Sequence, residues 1–210
     1  FNADPIHKYI KRDNWKGIVI EPLPDVYREK LEPLYRRHEG ITTVNAAISD
    51  EDGTRKIYRI AFSDSRWATG LTSFNRKSLE AAIESGYIAR NARKDGITLP
   101  RSPEEMIREE DVDCISVPTL LKKYGIGAID WLQIDTERFD FEVIKLFDPA
   151  STRPRVIVYE NSHMSREKKE ECRSYLMSLG YLVRDFGRDT LAARDLTDRL
   201  DLFFTLEQQK

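Results

Sequence analysis

The side chains best placed to do chemistry in this chain are acids that stand where apolar runs stop. Asp135 and Glu137 follow Trp131-Leu132-Gln133-Ile134, and a helical stripe begins just after them at Phe139. Glu21 closes the run Gly17-Ile18-Val19-Ile20 and leads into Pro22-Leu23-Pro24. Glu160, Asn161 and His163 come after the apolar stretch from Arg155 to Tyr159. In open α/β sheets ligands bind outside the carboxyl ends of the strands, and an acid ending an early strand accepts hydrogen bonds from a ribose diol. Glu21 fits that role, with a cap on the helix that begins near Pro24 as its structural alternative. Two carboxylates as close in sequence as Asp135 and Glu137 can make one of them a better base. Asp135 could equally cap the next helix, and Thr136 could simply fill the turn. Histidine changes charge near neutral pH, which makes His163 a candidate base. Lone loop histidines are more often structural.

These acids need strands to hold them at one edge. Apolar runs rich in β-branched and aromatic residues alternate with helical patterns, which predicts a largely parallel sheet covered on both faces. Strands are expected at Ile18 to Ile20, Thr42 to Ile48, Ile129 to Asp135, Arg155 to Glu160, Tyr181 to Phe186 and Leu202 to Leu206. A further strand, Lys56 to Ile60, should follow the turn Asp50-Glu51-Asp52-Gly53, whose Asp-Gly ending favours a hairpin. In that turn Asp50 reads as a turn residue rather than a ligand. Tyr27, Leu31, Leu34 and Tyr35 form one helical face that Pro33 should kink or interrupt. Phe139, Val143, Ile144 and Phe147 form another, and Ser165 and Gly180 bound the helix carrying Cys172 and Leu176. The last two strands lack a crossover helix between them and should pair antiparallel.

Residues Ser63 to Glu110 break the alternation and read as a helical insertion, a lid or substrate-binding element. Within it Arg66, Arg76, Lys77, Arg90, Arg93, Lys94 and Arg101 outnumber Glu80, Glu84 and Asp95, a bias that could attract an anion or could be a solvated face. Trp67 and Phe74 could line a pocket there, or simply pack in a core.

At 210 residues, with 40% hydrophobic and 33% charged residues, the chain fits one globular domain with a substantial core. The net charge of −2 lacks the basic excess that binding along a nucleic-acid duplex requires. Membrane-spanning runs of ~20 apolar residues and a signal-peptide pattern are both missing from the sequence, so the expected setting is the cytoplasm. Cys114 and Cys172 read as reduced packing residues. His7, His38 and His163 show no close metal-ligand spacing.

The "IEP" strand end at Ile20-Glu21-Pro22, the "AIS" strand Ala47-Ile48-Ser49 with its acidic turn, and Ile134-Asp135-Thr136-Glu137 leading into Phe141-Glu142-Val143-Ile144 occur in an order that resembles the FkbM family of S-adenosylmethionine-dependent methyltransferases. The resemblance implies a Rossmann-like class I methyltransferase sheet, mostly parallel, with a C-terminal antiparallel hairpin. It implies S-adenosyl-L-methionine as cofactor, bound by Glu21 and Pro22 and, at the end of the next strand, by the backbone at Asn45, Ala46 and Ala47, where small side chains let the adenine approach. It makes Asp135 a residue that positions the methionine moiety or the substrate hydroxyl, with Glu137 and His163 as further catalytic candidates. The implied reaction is O-methylation of a hydroxyl on a sugar or secondary metabolite, an anionic or sugar-bearing small molecule. Arg138 departs from the family, which has glycine there, so this turn must form without glycine's freedom at positive φ.

The glycine-rich turn that usually opens such a sheet has no counterpart here. Residues Asp4 to Ile10 instead read as the helix that would follow it, with Pro5 near its first position. The expectation is that the central strand comes from an upstream segment or from elsewhere. Two other function classes remain at this stage. A dinucleotide-dependent oxidoreductase would need the G-x-G-x-x-G turn, and a cofactor-free interaction domain would bind no such ligand.

Overall fold

The computed structural model describes residues 6–136 and 139–195. It is a mixed α/β protein that divides into two compact units, residues 1–116 and 117–210. Residues 1–5, Glu137, Arg138 and the strand expected at Leu202 to Leu206 lie outside the described residues.

The first unit begins with helix α1 (His7–Arg12) and strand β1 (Gly17–Ile20). A continuous helical path follows, made of α2 (Pro24–Val26), a π-helical stretch Tyr27–Leu31 and α3 (Glu32–Tyr35). Pro33 falls at the start of α3, directly after the π stretch, so the widened turn coincides with the place where proline removes a helical N–H donor. Ile10, Leu31 and Tyr35 close a core against Val19 and Ile41. Strand β2 (Ile41–Val44) pairs parallel with β1, Gly17 opposite Ile41 and Ile20 opposite Val44.

The expected strand Thr42 to Ile48 is divided at Asn45-Ala46 into β2 and β3 (Ala47–Ser49). These belong to different sheets. Strand β4 (Gly53–Ile60) follows the acidic turn, but it does not form a hairpin with β3. A strand not anticipated from the sequence, β5 (Ile107–Ser116), lies between them in the order β3-β5-β4. Its run Arg108-Glu109-Glu110-Asp111 disguised it as a polar insertion. Those charges face water and neighbouring charges while Ile107, Val112 and Cys114 are buried, which an antiparallel ribbon with one wet face allows. Lys56 of β4 forms an ion pair with Glu109 of β5. The insertion itself is helical as expected, with α4 (Arg66–Thr69), α5 (Arg76–Glu84), α6 (Tyr87–Lys94) and a 3-10 turn before β5. Its side chains Ala68, Leu71, Leu79 and Ile88 join Ile60 and Ile107 in a core of their own.

The second unit runs α7 (Val117–Lys123), β6 (Trp131–Ile134), α8 (Asp140–Phe147), α9 (Pro149–Thr152), β7 (Val156–Glu160), α10 (Arg166–Ser178), β8 (Leu182–Phe186) and β9 (Asp189–Ala193). Its sheet has the order β6-β7-β9-β8, with β6 and β7 parallel and β9 antiparallel to both neighbours. The antiparallel hairpin therefore exists, but β8 takes its partner from Asp189–Ala193, three residues on, across Gly187-Arg188. Gly187 at φ 63° makes so short a reversal possible. Every residue of β7 is buried, the mark of a strand covered on both faces. Ser165 caps α10, accepting from Lys168 N at 3.3 Å, and Gly180 follows it at φ 85°.

Phe139 does not face the core. Helix α8 starts one residue later, so Phe139 is 39% exposed and Phe141, 2% exposed, takes the inward place edge-on to Tyr175. Truncating Phe141 to alanine should therefore cost about 3–5 kcal/mol of unfolding free energy and Phe139→Ala under about 1, read from urea midpoints. Equal losses would place the start of α8 wrongly.

Candidate active site

In the first unit, the ends of β1 and β2 are tied together by backbone and amide. Glu21 N donates to Val44 O at 3.0 Å, and Asn45 Nδ2 donates to the carbonyls of Glu21 and Pro22 at 2.7 and 3.1 Å. Asn45 is thus the link that holds the Glu21-Pro22 corner against the end of β2. Ala46 and Ala47 are buried, and Ala47 packs with Leu23, Ile57, Val112 and Cys114. Its backbone, rather than its side chain, is the part that a ligand could meet.

Glu21 Oε1 accepts from Leu23 N at 2.9 Å, a bond within the Glu21-Pro22-Leu23 corner. The helix-cap alternative read from the sequence does not hold, because the first turn of α2 receives no side-chain cap. Among the described residues the carboxylate's second oxygen has no hydrogen-bond partner. Burial pushes the Glu21 pKa up; the Leu23 N–H opposes this, and the nearby charge of Asp25 adds to it. Asp25, in the first turn of α2, is gripped by Arg59, whose Nη1 lies 3.0 and 2.8 Å from its two oxygens. Burial works to raise the Asp25 pKa, but the Arg59 hydrogen bond and the Val26 N–H outweigh it. Arg59 is itself buried, with Glu110 at 3.5 Å and Asp64 at 3.4 Å as further counter-charges. Sequence reading missed it because an arginine in a strand gives no sign of which acids the fold will bring to it.

In the second unit, parallel pairing of β6 and β7, with Ile134 opposite Tyr159, brings Asp135 and Glu160 to adjacent strand ends. Neighbouring strands lie ~4.8 Å apart, so the two backbones leave the sheet side by side. Asp135 is exposed, whereas Glu160 is 6% exposed. Glu160 Oε1 accepts from Ser162 at 2.6 Å and from Arg188, and His163 Nε2 lies 3.9 Å from it. Burial acts to raise the Glu160 pKa, but the Ser162 and Arg188 hydrogen bonds prevail and hold it below the usual value. His163, exposed at this edge, therefore sits beside an ionised acid.

Asp140 had no assigned role in the sequence reading. It is 1% exposed, and its Oδ1 accepts from Thr136 N at 3.3 Å, folding the Asp135-Thr136 turn back onto α8. Its Oδ2 has no hydrogen-bond partner among the described residues. Burial, reinforced by the charge of Asp135 and opposed by the Thr136 N–H, raises its pKa to about 6. The signal available in the sequence was its place in the first turn of a helix after a strand end.

The aromatics of the insertion pack within the first unit. Trp67 lies against the Ile60–Leu79 core and donates Nε1 to Asp95 at 2.8 Å, and Phe74 lies against the Leu23–Ala47 core beneath the Arg55 guanidinium. Part of the basic excess is engaged locally, Arg76 with Glu80 at 2.9 Å and Arg90 with Ser85 O at 2.9 Å. Both cysteines are free and buried. Among the described residues no group of three or more His, Cys, Asp or Glu could hold a metal ion, and no helix is long and apolar enough to cross a membrane.

Comparison with known families matches residues 2–183 to the model described as the methyltransferase FkbM domain. No curated protein and no solved structure matches significantly.

The Asp140 pKa has a consequence for stability. An unfolded aspartate titrates near ~4, so between that pH and about 6 the folded state keeps a proton that the unfolded state has released. The stabilisation is fully present below the unfolded value and is lost as pH rises through the folded one, about 3 kcal/mol in all. Urea midpoints of the parent should thus fall relative to Asp140→Asn between about pH 4 and 7. Parallel curves would show that Asp140 is ionised throughout.

Proposed function

From the membership of this chain in the FkbM methyltransferase family, we propose that it transfers a methyl group from S-adenosylmethionine to the hydroxyl oxygen of a small molecule, anionic or sugar-bearing, on a Rossmann-like class I scaffold. The observation that carries this reading is the Glu21 carboxylate. It stands at the end of a parallel strand, its corner fixed by Asn45, with one oxygen accepting from Leu23 N and the other without a partner among the described residues. That acceptor suits a ribose diol, and the residues present therefore fit the cofactor. Glu21 would hold the ribose, with Pro22 shaping the corner and the Asn45-Ala46-Ala47 backbone beside the adenine. When bound, the cofactor supplies a methyl carbon made electrophilic by its sulfonium.

The chain's own contribution is alignment and proton handling. An in-line displacement needs the acceptor oxygen held on the methyl axis, and fixing such geometry is a major source of rate. Asp135, leaving β6 on a turn that Asp140 tethers, would position the methionine moiety of the cofactor and can also take the acceptor hydroxyl as hydrogen-bond donor. His163, steadied by Glu160, is the group that removes the hydroxyl proton as the oxygen acquires its methyl group. Glu137 remains a candidate for the same task from its position two residues after Asp135.

Calorimetric titration with S-adenosylhomocysteine tests the reading. Binding should be measurable, and Glu21→Ala and Asp135→Ala should each weaken it about 10- to 100-fold, the loss of one or two charge-assisted hydrogen bonds. No heat at millimolar ligand would reject the cofactor assignment. Unchanged affinity in both variants would reject the site while leaving the activity open. Replacing His163 with glutamine should lower kcat about 100-fold with the cofactor affinity kept.

A further inference from the structure

Between α10 and the sheet of the second unit lies a cavity of about 210 Å³. It is smaller than the ~300–1,000 Å³ of pockets that engulf a whole ligand, so it takes one functional group rather than a molecule. Its floor comes from β7 and β9: Tyr159, Asn161 and Thr190, all buried. Its wall is one face of α10, where Arg166, Lys169 and Arg173 recur at helical spacing.

The hydrogen bonds of this cavity leave its positive charge unequally used. Asp185 is occupied: Arg173 Nη2 donates to its Oδ2 at 2.8 Å and the Thr190 hydroxyl to its Oδ1 at 2.6 Å. Asn161 Nδ2 donates to Thr190 Oγ1 at 2.7 Å, and its Oδ1 accepts from Lys169 Nζ at 3.2 Å. Lys169 is thus held over the cavity by a neutral amide, with no carboxylate within ion-pairing distance among the described residues. Among those residues Arg166 has no hydrogen-bond or ion-pair partner either. The remaining carboxylate of the lining, Glu170, is exposed and unpaired. The lining therefore carries a net positive charge, and of its two cations outside ion pairs Lys169 is supported by a buried polar network that fixes where the ammonium sits. A partly enclosed cation without a counter-charge is costly, and an anion that accepts from it makes the strong, charge-assisted kind of hydrogen bond.

We infer that this cavity is a binding site for a tetrahedral oxyanion, a phosphate or sulfate group, held by Lys169 and Arg166 with Asn161 and Thr190 positioning the ammonium. The site stands independently of the methyl-transfer reading. Arg173 is already engaged with Asp185 and the carbonyl of Val183. The groups left for an anion are the Lys169 ammonium, a point charge suited to phosphate, and the exposed Arg166 guanidinium, whose fork also matches phosphate oxygens.

Inorganic phosphate should raise the melting temperature of the full chain in a saturable way at ionic strength balanced with chloride. Lys169→Gln and Arg166→Gln should each weaken the fitted affinity at least tenfold, Lys169→Arg should keep most of it, and Glu170→Gln should tighten it several-fold. The last variant separates an oxyanion site from a surface that merely gathers ions. Arg166 and Glu170 are exposed, so those two variants keep the test decisive if Lys169→Gln unfolds. A shift no larger than that from chloride, or affinity unchanged in Lys169→Gln and Arg166→Gln, would overturn the assignment. A hexose phosphate binding tenfold more tightly than inorganic phosphate, with the unphosphorylated hexose silent, assigns the pocket to a metabolite's phosphoryl group; equal affinity assigns it to the free ion. Loss of S-adenosylhomocysteine binding in the parent would count against the methyl-transfer reading and leave this site standing.

Discussion

A carboxylate taken out of water has to be bonded, neutralised or protonated, and the strand ends of this protein show all three solutions. Glu21 is bonded on one side by the Leu23 N–H and left open on the other. Glu160 is neutralised by Arg188 and steadied by Ser162. Asp140, with one oxygen unpartnered, is the acid that burial pushes toward protonation. These differences in environment give three similar side chains three chemical characters: an acceptor in the first unit, and a charged anchor and a tether for a turn in the second.

The same constraint explains the supporting residues. Asn45 closes the gap between β1 and β2 by donating to two carbonyls that the diverging chains leave without sheet partners. Arg59 compensates Asp25 at the start of α2, with Asp64 and Glu110 as further counter-charges, so that Asp25, the acid whose charge acts on Glu21, is held in place. In the second unit, Asn161 and Thr190 carry a chain of hydrogen bonds from Asp185 to Lys169. Buried polar chains of that sort are costly when incomplete and rigid when complete.

Much of the framework was legible in the residues. Gly17–Ile20, Val156–Glu160 and Leu182–Phe186 announce themselves because apolar and β-branched side chains are what a half- or fully buried strand requires, and Ser165 and Gly180 mark α10 because caps are local chemistry. What stayed hidden has a common cause. Strand β5 is charged along its wet face, so its pattern resembles a solvated helix until β4 is found opposite it. Strand β9 begins with Asp189-Thr190 and ends in small alanines, and nothing local says that β8 will turn back onto it across two residues. Phe139 and Phe141 are both aromatic and two apart. Which faces inward depends on where the helix starts, and α8 begins at Asp140, whose carboxylate holds the preceding turn at Thr136.

Determined by sequence alone were the family, the order of acids at strand ends and the helical character of the insertion, because each rests on residue type and short-range spacing. The tertiary structure decided which acids are bonded, neutralised or left half open, that Asn45 and Arg59 support the Glu21 corner, and that a neutral amide holds Lys169 over a cavity. Those outcomes depend on burial and on partners distant in the chain. A carboxylate or an ammonium acquires its chemical character from the dielectric and the charges around it, and these exist once the strands have paired.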